Sequence, residues 1–492
     1  MHALLDDAVA KTPDAPAVRD AAGRWSYREL AEYGAAFAVW LRERGVRRGD
    51  RVLLQLPTGR ELAAMFYGAS RCGAVFVPLN PAMKSFHLRQ VFDNATPALV
   101  VGDAASGPQL AEIAGPVRLL AELWPEVEEL RARGAVAEDA GVEPCDVATL
   151  IYTSGSTAAP KAVICPHAQV VFASRALTRV LGYRAEDVVF CRFPMSWDYG
   201  LYKVLMTCVA RCEIVLADRD SDLLLLKRMR ETGATVVPLV PSLASMIVTL
   251  AAREGVAQAP VRLFTNTGAA LPQATIDALR EHFPGVRVVR QYGQTEAKRI
   301  TVMPPLEDGE RPGAVGLPLP GTRVLILDGE GREVPVGEVG EIVAEGPHVM
   351  PGYWRSPELT AKAFRPDPVS GRPRLHTGDY GSVDAEGYLY FEGRRDDMFK
   401  RKGFRMSTLE IEGAAMDIPG VRAAAALPPS ERHDLALFVE SDLSPRTVLK
   451  ELTRRLEPAK VPAICRVLSD FPLTQHGKNA RRELALMLDG SA

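Results

Sequence analysis

The chain has 492 residues, with 59 basic and 61 acidic side chains and a formal net charge of -2. At about 150 residues per domain, this length predicts two to four domains. A hydrophobic content of 47% and a charged content of 24% are typical of a globular protein and exclude a disordered or collagen-like chain. The near-zero net charge gives no reason to expect a nucleic acid or an anionic membrane as a partner.

The first residues and the cysteines of the sequence predict a cytoplasmic location. Seven cysteines are an odd number, and residues 1–7 lack the basic and apolar regions of a signal peptide. The run 232–252 is long and uncharged, but Pro238 and Pro241 interrupt it. We therefore predict a short strand at 235–239 and a helix capped by Ser242, and no membrane span.

From residue 20 to residue 291, short runs rich in Val, Ile and Leu alternate with longer amphipathic patterns. This alternation is typical of parallel sheets covered by helices. The first long helix is predicted over 27–43, because Ser26 and Glu29 form a capping box. The strands predicted in this part are 51–56, 74–79, 98–101, 148–152, 261–265 and 286–290.

Between residues 313 and 392 the pattern changes to short strands separated by turns such as Asp328-Gly329 and Glu386-Gly387. Such spacing predicts a compact antiparallel unit. The last hundred or so residues mix helix and strand again. The charged stretch 393–405 lies between these two parts and fits either a solvated loop or a domain boundary.

The strand ending at Tyr152 runs into a loop rich in hydroxyls that ends at Lys161. Hydroxyl and amide donors with one ammonium are what a polyphosphate needs. The loop is not a Walker A loop, because Pro160 and Ala162 replace the second glycine and the hydroxyl after the lysine. Since turns favour such residues in any case, its interpretation depends on other segments.

Three later segments carry matching chemistry. The run 292–296, Tyr-Gly-Gln-Thr-Glu, follows a predicted strand and offers a hydroxyl and a carboxylate for a phosphate and a magnesium ion. Asp379 follows Thr-Gly in a tight turn, where it could accept hydrogen bonds from a ribose diol. Lys478 lies in a turn before a predicted helix.

In this order the segments resemble the motifs of the adenylate-forming (ANL) superfamily of acyl-CoA synthetases, peptide-synthetase adenylation domains and firefly luciferase. The resemblance extends from residue 45 to Lys478. It implies an α/β fold with a large N-terminal domain of two α/β subdomains plus a small β-barrel, followed by a small mobile α+β C-terminal domain. We place the adenylation core at 1–396 and the mobile domain at 397–492, with Asp396 at the hinge.

The resemblance implies ATP and Mg²⁺ as cofactors and gives a role to each matching residue. The nucleotide contacts implied in this way are Thr153, Ser154, Gly155, Ser156, Thr157 and Lys161 for the phosphates, Gly268, Ala269, Ala270 and Tyr292 for the adenine, and Asp379 and Arg394 for the ribose. Thr295 would contact the α-phosphate and Glu296 would hold the metal. Lys478 matches the catalytic lysine that bridges the carboxylate and the α-phosphate during adenylation.

The acid substrate should contact the segment 193–200, which includes Trp197 and Asp198, and residues beside Tyr292 such as Gly293. A carboxylate among aromatic rings needs a cation, so Asp198 pairs either with a substrate ammonium or with a neighbour, Lys203 or Arg192. Two cations that follow closely on the metal ligand are unusual in the superfamily. Lys298 and Arg299 either meet a second substrate carboxylate or face water.

The stretches around Asp198 and Lys298 are similar to those of stand-alone β-amino-acid adenylation enzymes of macrolactam biosynthesis, one branch of which takes a methylaspartate-type acid. The resemblance implies AMP-forming activation of a carboxylic acid, with an amino or β-amino acid favoured. The acyl group would then pass to the phosphopantetheine thiol of an acyl carrier protein. The alternative is an acyl- or aryl-CoA ligase that uses free coenzyme A. A non-catalytic binding homologue is disfavoured, because every expected catalytic residue type is present.

Overall fold

The computed structural model describes residues 1–153, 160–217, 222–254, 259–394, 398–401, 404–430, 432–456, 458, 460–472 and 479–489. The predicted α/β class is confirmed, since helices cover two large sheets built mainly of parallel strands. The helices of the first 396 residues are His2–Lys11, Tyr27–Glu43, Arg60–Cys72, Ser85–Ala95, Gly107–Ala114, Leu120–Ala132, His167–Val180, Asp198–Ala210, Leu225–Thr232, Pro241–Glu254, Gln273–His282 and Pro357–Ala363.

The first large sheet has six strands. In spatial order they are Arg118–Leu119, Leu99–Gly102, Arg51–Gln55, Val75–Pro78, Val147–Thr153 and Lys161–Pro166. The last two strands form an antiparallel hairpin, and the loop that joins them is the predicted phosphate loop. Because the hairpin register pairs Thr153 with Lys161, the two ends of that loop are held side by side.

The second large sheet has nine strands, six of which run parallel. In spatial order they are Leu317–Pro318, Thr301–Val302, Arg287–Tyr292, Leu263–Asn266, Val236–Leu239, Val188–Cys191, Glu213–Leu216, Pro16–Asp20 and Gly23–Ser26. The central strands are buried on both faces, as expected where helices pack on both sides of a parallel sheet.

Local signals placed most elements within a few residues. The helix Tyr27–Glu43 begins as predicted, because Ser26 Oγ accepts a hydrogen bond from the Glu29 amide and the Glu29 carboxylate accepts one from the Ser26 amide. The predicted cap at Ser242 is wrong. The helix already begins at Pro241, whose fixed φ suits a first helical position, and Val240 O accepts the first helical hydrogen bond, from Ala244 N.

The uncharged run 232–252 is divided between the end of one helix, the strand Val236–Leu239 and most of the helix Pro241–Glu254. Among the described residues, no helix combines the length and the apolar character that crossing a membrane requires.

The predicted antiparallel unit is present as a curled five-stranded sheet formed by Arg323–Leu327, Gly340–Glu345, Phe364–Pro366, Pro373–Val383 and Leu389–Arg394. Asp379 and Arg394 are direct partners across two of its strands. This register brings together two residues that the family resemblance assigns to the ribose.

After residue 397 the chain forms a hairpin and a small three-stranded sheet with helices. The strands are Met398–Arg401, Phe404–Ser407, Val421–Leu427, Ala436–Ser441 and Ile464–Leu468, and the helices are Thr408–Met416, Pro445–Leu452 and Arg481–Asp489. Two clusters of buried apolar side chains are built from the described residues of this part alone. The division at residue 396 stays a prediction, because Asp396 lies outside the described residues.

Candidate active site

The loop from Tyr292 to Ile300 lies at the carboxyl end of the strand Arg287–Tyr292, where ligands of open α/β sheets usually bind. Ile300 N donates to Tyr292 O at 2.9 Å and closes the loop on itself. A Cβ atom on Gly293 would lie 2.7 Å from Arg299 Cα and 2.8 Å from Lys298 O, so this position requires glycine. Side chains of this closed loop take part in three different clusters.

The first cluster is built around the Asp379 carboxylate. Tyr292 Oη and Gln294 Nε2 each donate to Asp379 Oδ2 at 2.8 Å, and Arg394 Nε lies 3.2 Å from Oδ1. Burial, and then the negative charge of Asp379, raises the pKa of Tyr292 well above its usual value, so the hydroxyl stays a donor. The structure therefore brings together Tyr292, Asp379 and Arg394, three residues for which the resemblance implies contacts with one nucleotide.

The segment predicted to line an adenine follows the strand next to Arg287–Tyr292. Gly268, Ala269 and Ala270 are exposed after Leu263–Asn266, and Asn266 Nδ2 donates to Ala269 O at 2.9 Å. Gly268 adopts φ of +89°, which glycine tolerates readily. Since the two strands are parallel neighbours, this loop and Tyr292 open onto the same edge of the sheet.

The second cluster joins Glu296 to the predicted phosphate loop. Tyr353 Oη donates to Glu296 Oε1 at 2.6 Å and accepts from Lys161 Nζ at 3.2 Å. Lys161 Nζ lies 3.7 Å from Glu296 Oε1. Thr153 Oγ1 lies 3.5 Å from Lys161 O at the base of the loop.

Other predicted residues stand beside this cluster or outside the described chain. Thr295 is half-buried next to Glu296. The predicted site residues outside the described residues are Ser154, Gly155, Ser156, Thr157, Asp396 and Lys478.

The donor set fits a magnesium ion that binds together with a polyphosphate. Mg²⁺ is usually held by one or two carboxylates plus substrate phosphates and water. In the described part of the chain, no three His, Cys, Asp or Glu side chains come together as a metal cage. Glu296 is a single buried carboxylate beside the Lys161 ammonium, which suits a site completed by the phosphates themselves.

The third cluster contains Asp198, the first residue of the helix Asp198–Ala210. Lys298 Nζ donates to Asp198 Oδ2 at 3.0 Å and to Asp198 O at 2.7 Å. Neither neighbour predicted as the alternative partner holds this carboxylate. Arg192 pairs with Asp222 at 2.7 Å, and Lys203 Nζ donates to Tyr183 Oη at 3.3 Å.

The prediction that Lys298 and Arg299 could face water is wrong, because their exposed fractions are 2% and 3%. Lys298 Nζ lies 4.0 Å from the centre of the Tyr202 ring. Arg299 Nε donates to Gln291 Oε1 at 3.1 Å, and its Nη1 donates to Lys298 O. Both cations therefore point into the protein next to Asp198, and a substrate carboxylate is the alternative that stays open.

Burial and neighbouring charges together set the pKa values of Lys298 and Asp198. Burial lowers the pKa of Lys298 to about 7, even though Asp198 opposes the shift. Burial alone would raise the pKa of Asp198, but the charges of Lys298 and Arg299 outweigh it and hold that pKa below the usual value. The backbone of Lys298 has φ of +59°, a strained conformation that is costly for a side chain of this size.

The aromatic rings of the segment 193–200, which contains Asp198, pack against one another. The Phe193 ring centre lies 4.8 Å from that of Tyr199 and 6.2 Å from that of Trp197. A Cβ atom on Gly200 would lie 2.3 Å from Pro194 O, so glycine is required for the tight turn that brings these rings together. The aromatic side chains that flank Asp198 in the sequence are thus packed together, and their contact with a substrate stays a prediction.

Most of the chain matches a known protein family. The family model described as "AMP-binding enzyme" matches residues 5–354. The chain belongs to the AMP-binding enzyme family. The matched range contains all three clusters except Asp379 and Arg394.

This AMP-binding enzyme is similar to AmbB in sequence and to MatB in structure. The AMB antimetabolite synthetase AmbB of Pseudomonas aeruginosa is 30% identical over 496 residues, which are 98% of this chain and 38% of AmbB. The chain thus spans less than half the length of that relative. The ATP-bound crystal structure of MatB from Rhodopseudomonas palustris has a TM-score of 0.88 at 28% identity, covering 99% of this chain and 98% of that one.

VinN is another similar solved structure. Its complex with L-aspartate is 54% identical, with a TM-score of 0.75, and the match covers 80% of this chain and 98% of that one. Its complex with 3-methylaspartate is 52% identical, with a TM-score of 0.70 and coverage of 79% and 98%.

Sequence reasoning missed two residues of this AMP-binding enzyme. Gln294 stands inside the quoted motif but received no role, although its amide holds Asp379 and donates to Thr377 O at 2.9 Å. Tyr353 belongs to the run Pro351-Gly352-Tyr353, where Gly352 has φ of +146°. A glycine beside an aromatic residue was the available signal, but only the fold shows what the hydroxyl contacts.

Proposed function

We propose that this enzyme uses ATP to activate an acidic amino acid of the aspartate or methylaspartate type and passes the acyl group to the phosphopantetheine thiol of a carrier protein. The observation that carries the proposal is the cluster in which the buried Lys298 and Arg299 lie next to the partly buried Asp198, on the aromatic segment 193–200. Similarity to VinN, a protein solved with L-aspartate and with 3-methylaspartate, supports it.

The charges of the cluster complement such a substrate. With all three groups ionised, Asp198, Lys298 and Arg299 carry a net charge of +1, whereas aspartate at neutral pH carries one ammonium and two carboxylates. The substrate ammonium would pair with Asp198. The carboxylate that is not activated would pair with Lys298, whose backbone carbonyl accepts a hydrogen bond from the Arg299 guanidinium. A fatty or aryl acid would leave the buried cations without an added partner, which is costly.

The nucleotide side of the site supplies the remaining groups. Tyr292, Asp379 and Arg394 would hold the nucleoside, while Lys161 and Thr295 would contact the phosphates. Glu296 would hold Mg²⁺, which neutralises the phosphate charge when bound. Lys478 would place its ammonium on the oxygens joining the carboxylate and the α-phosphate, where negative charge develops during attack.

Two other functions make different predictions. A CoA ligase would use free coenzyme A and an acid without an amine. A binding homologue would show no exchange chemistry with any acid. The small unit after residue 397, with its own apolar clusters, suits a domain that moves between adenylation and thiol transfer, as the resemblance implies.

The test is carboxylate-dependent exchange of pyrophosphate into ATP across a matched panel. The panel contains L-aspartate, 3-methylaspartate, β-alanine, succinate, benzoate and octanoate. We expect exchange with the first two, weak exchange with β-alanine, which lacks the second carboxylate, and none with succinate, which lacks the amine. Exchange with benzoate or octanoate alone would favour the CoA ligase, and no exchange with any acid would favour the binding homologue.

A further inference from the structure

Tyr353 is the buried residue that connects the predicted phosphate loop to the predicted metal ligand. Its hydroxyl has one proton to donate and can accept from a neighbour. The proton goes to Glu296 Oε1 at 2.6 Å, and Lys161 Nζ donates to the oxygen at 3.2 Å. The hydroxyl therefore stands between two groups of opposite charge.

Backbone hydrogen bonds hold the segment that carries this hydroxyl in place. Tyr353 and Val163 form an isolated antiparallel β-bridge. Beside it, Ile164 N donates to Gly352 O at 3.0 Å and Trp354 N donates to Ala162 O at 2.8 Å. These contacts attach residues 352–354 to the strand that follows the phosphate loop. Tyr353 N donates to Thr360 Oγ1 at 2.9 Å.

The same segment is also attached to the loop that carries Glu296. Met350 N donates to Glu296 O at 2.8 Å. A Cβ atom on Gly352 would lie 2.4 Å from Thr360 Cγ2, so the turn before Tyr353 is closely packed. The hydroxyl thus has little freedom to follow either charged partner, and instead sets where both of them stand.

We propose that Tyr353 is a positioning residue that keeps the Glu296 carboxylate available to Mg²⁺ by holding Lys161 at a distance. The ammonium and the carboxylate are 3.7 Å apart with the hydroxyl bound to both. Without the hydroxyl, they can close into a direct ion pair, and a metal ion must then compete with Lys161 for Glu296. The proposal rests on the proposed function, because it takes Glu296 as the metal ligand.

The distinguishing variant is Tyr353→Phe, which removes the hydroxyl and leaves the ring packed. We measure ATP binding by calorimetry with excess Mg²⁺ and with EDTA, and take the ratio of the two dissociation constants. Loss of a hydrogen-bond partner of a metal ligand costs about 10- to 100-fold in metal affinity. We therefore expect the preference for MgATP to fall about tenfold or more, while binding of ATP in EDTA changes less.

Two further variants control for a purely structural effect. Tyr388 is also a buried tyrosine whose hydroxyl donates to a glutamate, Glu307, so Tyr388→Phe should keep the MgATP preference within about twofold. In the background of Glu296→Gln, Tyr353→Phe should add less than about twofold, because the two changes act on one interaction. Thermal unfolding of each variant shows whether the fold is retained.

The outcomes separate this proposal from the proposed function. An unchanged MgATP preference in Tyr353→Phe, or an equal loss of ATP affinity with Mg²⁺ and with EDTA, would overturn the positioning role alone. A wild-type enzyme that binds ATP equally with and without Mg²⁺, or a Glu296→Gln variant with the wild-type preference, would remove Glu296 as metal ligand. Aspartate-dependent exchange tests the acid assignment independently of either result.

Discussion

Lys298 Nζ lies 3.0 Å from Asp198 Oδ2, although the two residues are one hundred positions apart in the sequence. The ammonium also donates to Asp198 O at 2.7 Å, so Lys298 joins the loop 292–300 to the first turn of the helix Asp198–Ala210. Asp198 lies at the N-terminus of that helix, which carries the positive end of the helix dipole. The helix therefore stabilises the Asp198 carboxylate in addition to Lys298. A substrate with both charges can enter the pair by offering an ammonium to one partner and a carboxylate to the other.

The first prediction concerns Asp198→Asn. We expect aspartate-dependent pyrophosphate exchange to fall roughly 100-fold or more, because breaking one side of a buried charge pair leaves Lys298 uncompensated. ATP binding should change little. Asp222→Asn removes a carboxylate that pairs with Arg192 and is half exposed, so it is the matched control and should keep most of the activity. Equal losses in the two variants would contradict the substrate role of Asp198.

The second prediction concerns pH. The pKa of Lys298 is about 7, and a bound carboxylate favours its charged form. Substrate therefore binds best below pH 7, and the dissociation constant of L-aspartate should rise by about tenfold per pH unit above it, until the pKa of the substrate-bound lysine is reached. Calorimetry between pH 6 and pH 9 measures this. Lys298→Arg keeps its charge throughout, so its curve should be flat, and a wild-type slope there would point to another group.

A third prediction follows from Gly293. A methyl group there would lie 2.7 Å from Arg299 Cα and 2.8 Å from Lys298 O, so Gly293→Ala must shift the strained Lys298 backbone. We expect a loss of about 1–3 kcal/mol in the free energy of unfolding and a higher KM for aspartate. Gly413→Ala lies in a helix with open space around it and should be neutral or stabilising. Denaturant unfolding of both variants, together with steady-state exchange, tests the difference.

The fourth prediction addresses Lys478. Lys478→Ala should abolish formation of the acyl-adenylate and leave ATP binding largely intact, because the ammonium acts on charge that develops only during attack. Pyrophosphate exchange and ATP calorimetry on the same preparation separate the two effects. Exchange at nearly the wild-type rate would remove this residue from the chemistry.

The fifth prediction concerns the hinge. Asp396→Pro should spare adenylation and impair transfer to a phosphopantetheine thiol, because proline restricts the backbone rotation that domain movement needs. Exchange reports the first step, and loading of a carrier protein followed by mass spectrometry reports the second. Equal loss of both steps would argue against a hinge at this position.

Local patterns in the sequence predicted much of the fold and the nucleotide side of the site. Capping boxes, apolar runs and turn pairs depend on neighbouring residues, so they located the helix Tyr27–Glu43 and the antiparallel unit that contains Asp379. The order of short motifs was enough to predict the family, which the match over residues 5–354 confirms. Tyr292 and Asp379 were predicted for one ligand and are hydrogen-bonded to each other.

Only the tertiary structure decided which charges meet. From the sequence, the partner of Asp198 was either a substrate ammonium or one of two nearby cations, and Lys298 met either a substrate carboxylate or water. The fold instead pairs these two residues with each other and buries Arg299 beside them. It likewise places Tyr353 between Lys161 and Glu296. Such contacts depend on the register of strands far apart in the chain, whereas charge, hydropathy and spacing describe only neighbours along it.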